Sequence, residues 1–370
     1  IPLKALSMEE KNQYARFALE LPYINNKIKL PTGVIEGQEL NMKFMELFFH
    51  VFDKKKFSDL PISFQCMATD LETGNLVVLD SGNLVKALRA SMAIPSVFTA
   101  VSINDKKLVD GGLVRNFPVK NVRAMGAGIT IGSNVSGGLS TKDEIINPVD
   151  VILQMAFFKE AADFKEELPL TDIYIHMPLT KYNMTSFSSS KEIMETGIET
   201  GNQYYPQFKK LADSIKSLNT NPDTINKVTT GKSVYIQQYE VTGLKKTTPA
   251  FFFHLMNFYD NRYYTAPEIS KSIVRAYGSR YYSSITYNLV PKNGDTANIV
   301  FNVTENPGTY LKAAVYYSIF RGINVNLNVT SRDFIIPNSR SMLSVSLGES
   351  LQLETEHFQY IGRTKSIAVI

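Results

Sequence analysis

From residue 323 to residue 330 the chain alternates without a break, Ile323, Val325, Leu327 and Val329 against Asn324, Asn326, Asn328 and Thr330. Successive side chains of a strand point to opposite faces, so a period of two calls for a sheet with one apolar and one polar face. Residues 310–320 repeat the pattern more loosely, with Leu311, Ala313, Val315, Tyr317 and Ile319 on one face and Lys312 and Ser318 on the other. Leu343, Val345 and Leu347, then Leu351 and Leu353, add two further strands. Alternation fits a soluble sandwich and a membrane β-barrel equally, because it separates two faces without saying which one meets solvent. The greater general frequency of soluble β folds favours the sandwich.

Composition narrows the rest. A chain of 370 residues holds two or three domains at about 100 to 200 residues each. Its 44% hydrophobic and 20% charged residues exclude a disordered chain. Cys66 is the sole cysteine, which rules out a disulfide framework and a cysteine-cluster metal site. With 39 basic against 35 acidic residues, the charge is too even to track a phosphate backbone, so nucleic acid is not an expected partner. No apolar stretch approaches the roughly 18 to 20 residues of a membrane-spanning helix, and no signal segment opens the sequence. The first residue is Ile1, from which we expect a processed protein or an internal fragment.

Before residue 213, strands alternate with helices. Ser7 and Glu10 form an S-x-x-E capping box that predicts a helix through about Glu20. Leu40, Phe44, Leu47, Phe48 and Val51 recur at helical spacing and predict a second helix with that face buried. The runs at 62–68 and 76–79, with turn residues at 72–75 between them, predict a hairpin. A helix carrying Leu84, Leu88 and Met92 must end before Pro95. Two strands flank the turn at 104–107, and the second runs directly into Asp110-Gly111-Gly112. A strand within 126–135, helices at 148–164 and 192–215, and a strand at 173–177 complete a layered α/β domain. Residues 213–232 have the composition of a linker, and 234–304 then read β-α-α-β-β, a small α+β module.

Asp110 is the best candidate for chemistry. An aspartate at a strand exit, followed by two glycines without a Cβ, can sit where a second backbone or a substrate passes closely, and can serve as a general base. The alternative is that Asp110 caps the next segment while Gly111 and Gly112 form an ordinary turn. His50, His176, His254 and His357 show no metal-ligand spacing, and no metal or other cofactor is expected. The loop from Gly132 to Gly138 lacks both a Gly-Lys-Ser/Thr ending and the G-x-G-x-x-G pattern, so it reads as a strand-to-loop turn.

Three stretches taken together carry a resemblance: LPTGVIEGQ at 30–38, ASMAIPSVF at 90–98 and LVDGGLVRNFPV at 108–119. In that order they resemble the second part of a bacterial patatin-like phospholipase domain. The resemblance implies a Ser-Asp dyad, with the serine in a G-x-S-x-G elbow and Asp110 of the Asp110-Gly111-Gly112 motif taking its proton without a histidine. The sequence holds no G-x-S-x-G; Ser136 fails because Asn134 precedes it by two, and Ser140 because Lys142 follows by two. We therefore expect the elbow to be lost by N-terminal truncation, a degenerate scaffold being the competing account. Residues 234–305 are similar to a polypeptide-transport-associated (POTRA) module, and the segment from Tyr310 resembles the first strands of a bacterial-surface-antigen-class barrel.

The resemblance thus implies a truncated three-layer α/β patatin-like domain at 1–215, a linker at 216–232, a POTRA-like module at 233–307, and an incomplete antiparallel β-barrel at 308–370. The last segment supplies about four of the at least eight strands that a closed barrel needs. The implied function is cleavage of acyl esters in phospholipids or related lipids by a protein anchored in the bacterial outer membrane. Its hydrolase domain would be periplasmic or surface-exposed, and this fragment inactive. The alternative is a non-enzymatic assembly or transport protein of the same membrane.

Overall fold

A computed structural model describes residues 6, 19–28, 33–35, 37–143, 145, 146, 151, 154–182, 186–218, 233–318, 322–361 and 365–369. These form two compact units. One comprises residues 1–55, 96–99 and 228–370, and the other 56–95 and 100–227. The grouping differs from the expected boundary at 215, because N-terminal elements are paired with C-terminal ones.

The capping box at Ser7 lies outside the described residues. Glu20, the expected helix end, stands instead in strand β1 (Leu19–Ile24), which turns through Asn25 and Asn26, both at positive φ, into β2 (Lys27–Ile28). After β3 (Gly33–Ile35) comes helix α1 (Gln38–Leu47). Its buried residues are Gln38, Asn41 and Met45, while Leu47, expected inside, is exposed. The rotation has a polar cause: the Gln38 carboxamide donates to the Ile285 carbonyl at 2.7 Å and accepts from the Ile285 N–H at 2.9 Å, reproducing the two bonds of a neighbouring strand.

The second unit opens with the expected hairpin, β4 (Cys66–Asp70) against β5 (Leu76–Leu79). Helix α2 (Leu84–Ser91) starts where Asn83 accepts from the Lys86 N–H at 2.8 Å, and it ends before Pro95. Strand β6 (Ser96–Phe98) belongs to the first unit, where it pairs in parallel with β3. Strands β7 (Val101–Ile103) and β8 (Lys106–Asp110) join through Asn104 and Asp105, both at positive φ, giving an antiparallel sheet of order β5-β4-β8-β7. Phe57, Cys66, Ala68, Leu79, Ala87, Ala90 and Leu108 form its core. Helix α3 (Val119–Ala124) follows, and β9 (Ile131–Asn134) pairs in parallel with β10 (Ile173–His176). Within the helix expected at 148–164, residues 151 and 154–156 are helical and helix α4 (Phe158–Glu167) follows after a turn at Phe157; the rest of the interval lies outside the described residues. Helix α5 (Ser190–Leu218) continues past the expected end and takes in the first residues assigned to the linker, the rest of which is not described.

In the first unit, β11 (Val234–Thr242), α6 (Pro249–Met256), β12 (Arg262–Tyr264), α7 (Ala266–Gly278), β13 (Tyr282–Pro291) and β14 (Thr296–Glu305) follow the β-α-α-β-β order with one extra short strand. Thr248 caps α6, and Thr265 with Glu268 forms a capping box on α7. The sheet order is β12-β11-β14-β13. Ile236, Phe252, Met256, Ile269, Ile273, Ile285, Ile299 and Phe301 fill its core completely.

The alternating segment forms an antiparallel meander, β15 (Thr309–Ser318), β16 (Gly322–Arg332), β17 (Ser339–Leu347), β18 (Gln352–Ile361) and β19 (Lys365–Val369). Strand β1 pairs with the outer edge of β15, placing Leu19 opposite Ala313 and Leu21 opposite Leu311. The faces are inverted relative to a soluble core. Lys312, Asn324, Asn328, Thr330, Arg340 and Ser344 are buried, whereas Val315, Tyr317, Ile323, Leu327, Leu343 and Leu347 are exposed. Arg340 is tied to Glu356 at 3.0 Å inside this polar face.

Register arranges the outward face in rows. Tyr317 stands opposite Ile323; Val315, Val325 and Leu347 form the next row; then Ala313, Leu327, Val345 and Leu353; then Leu311, Val329 and Leu343, ending in Thr355. The row after that is wholly polar, Thr309, Ser331, Ser341 and His357. Within it Thr309 and Ser331 share a hydrogen bond of 2.8 Å, as do Ser341 and His357 at 3.0 Å.

Candidate active site

Asp110 is the last residue of β8, opposite Ala68 of β4. Its backbone is held on two sides: its N–H donates to the Ala93 carbonyl at 3.0 Å, and its carbonyl accepts from Thr69 Oγ1 at 2.9 Å. Gly111 begins a single 3-10 turn, and a Cβ there would overlap the Met67 carbonyl, so only glycine permits this close pass of two backbones. Gly112 donates its N–H to Asp110 Oδ1 at 2.8 Å; a Cβ on it would crowd that same oxygen at 3.1 Å and Asn116 Oδ1 at 3.2 Å. Asp110, Gly111 and Gly112 thus form one rigid corner.

Burial pushes the Asp110 carboxyl above its ordinary pKa, and the Gly112 N–H opposes that shift only in part. Among the described residues, Oδ1 takes the one hydrogen bond from Gly112, and no hydroxyl donates to the carboxylate. A desolvated carboxylate with one oxygen fixed and the other uncommitted is suited to taking a proton from a group brought against it.

The residues that brace the corner were not legible in the sequence. Arg115, four positions beyond Gly111 and bonded to its carbonyl through the backbone, forks onto Asp163 of α4 with contacts of 2.7 and 3.0 Å. Arg115 also donates to Asn121 Oδ1 at 3.0 Å. Glu167, fully buried, accepts from the Lys120 N–H at 2.6 Å. Helix α4 is thereby strapped to the segment leaving Asp110. Phe117 packs edge-on against Phe164 and Tyr174, and a Cβ on Gly132 would overlap its ring.

The other candidates stay apart from this corner. The Gly132 to Gly138 loop folds on itself, with Ser136 N–H donating to Asn134 Oδ1 and Gly138 N–H to Ser136 Oγ, as a strand-to-loop turn does. No group of three His, Cys, Asp or Glu residues among the described residues could hold a metal ion.

Each unit joins two of the three sequence stretches. Gly33 and Ile35 of the first pair with Ser96 and Phe98 of the second, and Ala93 of the second accepts from Asp110 of the third. Residues 11–123 match the family described as patatin-like phospholipase. Over 78 residues the chain is 36% identical to an uncharacterized NTE family protein of Mycobacterium tuberculosis, a match covering 21% of this chain and 22% of that protein. Over 220 residues it is 23% identical to lysophospholipase NTE1 of Phaeosphaeria nodorum, covering 53% of this chain and 14% of the relative. The chain thus spans less than a quarter of the length of these curated relatives. Among solved structures, BamA from Haemophilus ducreyi lacking POTRA domains 1-3 aligns over 36% of this chain and 26% of that one, with a TM-score of 0.31 and 16% identity. The chain therefore carries a patatin-like phospholipase segment with NTE-family homologues, and Asp110 lies inside it.

Proposed function

We propose that this chain is part of a lipid acyl hydrolase acting on phospholipids or lysophospholipids, with Asp110 as the base of a Ser-Asp dyad. The observation that carries this reading is the corner at Asp110, a desolvated carboxylate held by Gly112 and a glycine-only backbone crossing, within the patatin-like segment. A serine supplied from outside these 370 residues attacks the acyl carbonyl and passes its proton to Asp110. The leaving oxygen takes that proton from Asp110 and departs as the alcohol; water then gives a proton to Asp110 as it attacks the acyl-serine, and the serine oxygen takes that proton back as the fatty acid leaves, the carbonyl oxyanion being held by backbone N–H groups in both steps. No metal or organic cofactor enters this scheme.

The same reading anchors the protein in a bacterial outer membrane, with 233–307 as a POTRA-like module and 308–370 as strands of a barrel. The inverted burial of β15 to β18 supports the anchor, since lipid takes an apolar outer face and a barrel interior takes a polar one. The hydrolase part then faces the periplasm or the cell exterior. A non-enzymatic assembly role is the second reading, favoured by the absence of any described hydroxyl donating to Asp110.

The test uses the product of the whole reading frame. Asp110→Asn should lower lysophospholipid turnover by about 10²-fold or more with the fold unchanged, because the amide keeps the shape and cannot take the proton. A serine-directed phosphonate should label the wild-type protein and block it. Near-normal turnover of the variant, or no labelling, would favour the assembly role.

A further inference from the structure

Residues 333–338 join β16 to β17 and are unusual for a loop. Phe334, Ile335 and Ile336 are 76%, 65% and 49% exposed, three consecutive large apolar side chains turned to the outside. Such a run is costly in water unless something covers it.

The loop is also rigidly framed. Asp333 Oδ1 accepts from the N–H groups of Asn338 at 2.7 Å and Ser339 at 3.3 Å, and the Asp333 N–H donates to the Ser339 carbonyl at 2.9 Å. Asp333 and Asn338 both sit at positive φ, and Gln359 Nε2 from β18 donates to the carbonyls of Pro337 at 3.0 Å and Asn338 at 3.3 Å. The polar atoms of the loop are turned inward by these bonds, and the apolar side chains are what remains outside.

Two further features identify the occupant. The loop lies just beyond the polar row of Thr309, Ser331, Ser341 and His357, where the apolar rows of the sheet end. Beside it stands Lys246, exposed; its Nζ lies close enough to Gly308 that a Cβ there would be 3.0 Å away, and it acts electrostatically on Asp333. Exposed apolar side chains next to a lysine, at the polar margin of an apolar face, match the boundary of an anionic bilayer, where rings and alkyl groups enter the acyl margin and ammonium groups meet lipid phosphate.

We infer that the 333–338 loop is a second membrane contact, seating Phe334, Ile335 and Ile336 in the headgroup margin of an anionic bilayer with Lys246 against its phosphates. The inference rests on the membrane reading of β15 to β18. It adds a shallow anchor that fixes the depth of the sheet and keeps the α+β module of 233–307 at the water side of that margin.

These 370 residues contain no tryptophan, so with any tryptophan elsewhere in the reading frame replaced by phenylalanine a single introduced indole reports its own surroundings. Ile335→Trp and Leu327→Trp are made separately in the product of the whole reading frame, which is refolded from detergent into phosphatidylethanolamine vesicles with or without phosphatidylglycerol. The lipids are brominated either near the ester carbonyl or near the chain end. The Ile335→Trp emission should shift to the blue and be quenched most by bromine near the carbonyl, more so in anionic vesicles. Leu327→Trp should be quenched most by bromine near the chain end. Water-like emission at position 335 with lipid quenching at 327 overturns the loop anchor alone, and no lipid quenching at either position overturns the membrane reading with it. A blue shift at 335 that needs no lipid and grows with protein concentration assigns the loop to a second copy and overturns the anchor.

Discussion

Strands β14 and β16 share one period and use it in opposite senses. In β14, Ala297, Ile299, Phe301 and Val303 are buried and the residues between them face outward. In β16, Asn324, Asn328 and Thr330 are buried while Ile323, Leu327 and Val329 face outward. The difference lies in what each sheet has to pack against. Helices α6 and α7 bring Phe252, Met256, Ile269 and Ile273 to the first sheet, whereas the second gathers Lys312, Arg340 and Glu356 on its inner side. A two-residue period therefore specifies a pair of faces, and only the surrounding sequence decides which face is wetted.

The contrast can be broken most forcefully at its apolar end. Phe301→Ala should destabilise the α+β module by about 3 to 5 kcal/mol, because the ring touches Phe252, Phe253, Phe258 and Tyr287 in a filled core. Denaturant melts read out by near-ultraviolet dichroism would check it; an unchanged midpoint would mean that this sheet does not depend on its inner face. In the other sheet, Leu327→Arg should cost about 2 to 4 kcal/mol of insertion if that position lies near the bilayer midplane. Asn326→Arg, on the face that holds Lys312 and Arg340, should lose much less. Under the proposed barrel reading, heat-modifiable folded protein recovered from the outer membrane measures both, and equal recovery would favour the soluble sandwich.

A smaller effect tests whether local signals are independent of these faces. Thr265→Ala removes the hydroxyl from the α7 capping box and should cost about 0.5 to 2 kcal/mol by thermal melting, with no dependence on lipid.

The smallest expected effect concerns Asp110 and is a matter of pH. Its native pKa is raised by burial, so the folded protein holds that proton more tightly than the unfolded chain does. The resulting stability is fully present below the ordinary carboxylate range and is lost as pH rises through the raised native value. Asp110→Asn should consequently melt slightly above wild type at neutral pH and coincide with it in acid. Identical melting profiles at both pH values would show that the carboxylate is not desolvated.

Much of this was readable in advance where the signal was local. The Asp110-Gly111-Gly112 corner shows itself through its glycines, and the hairpin of β4 and β5 and the helix after Asn83 through turn and cap residues. The Arg115 fork was invisible because Asp163 lies 48 positions away, and no periodicity links the two. The buried face of α1 was misjudged because Gln38 forms backbone-like bonds with a residue 247 positions distant. The β1–β2 hairpin did leave a trace, two adjacent asparagines between short strand-forming runs, which the Ser7 capping signal obscured.

Gln38 also has a consequence for how the molecule keeps to itself. A carboxamide offers the same donor and acceptor as a peptide group, so at Ile285 the side chain closes the outer edge of β13 as another strand would. Any chain attempting to lengthen that sheet must first break two buried bonds. One glutamine at the start of a helix thus acts as a barrier to runaway strand addition at the apolar-cored sheet edge that α1 covers.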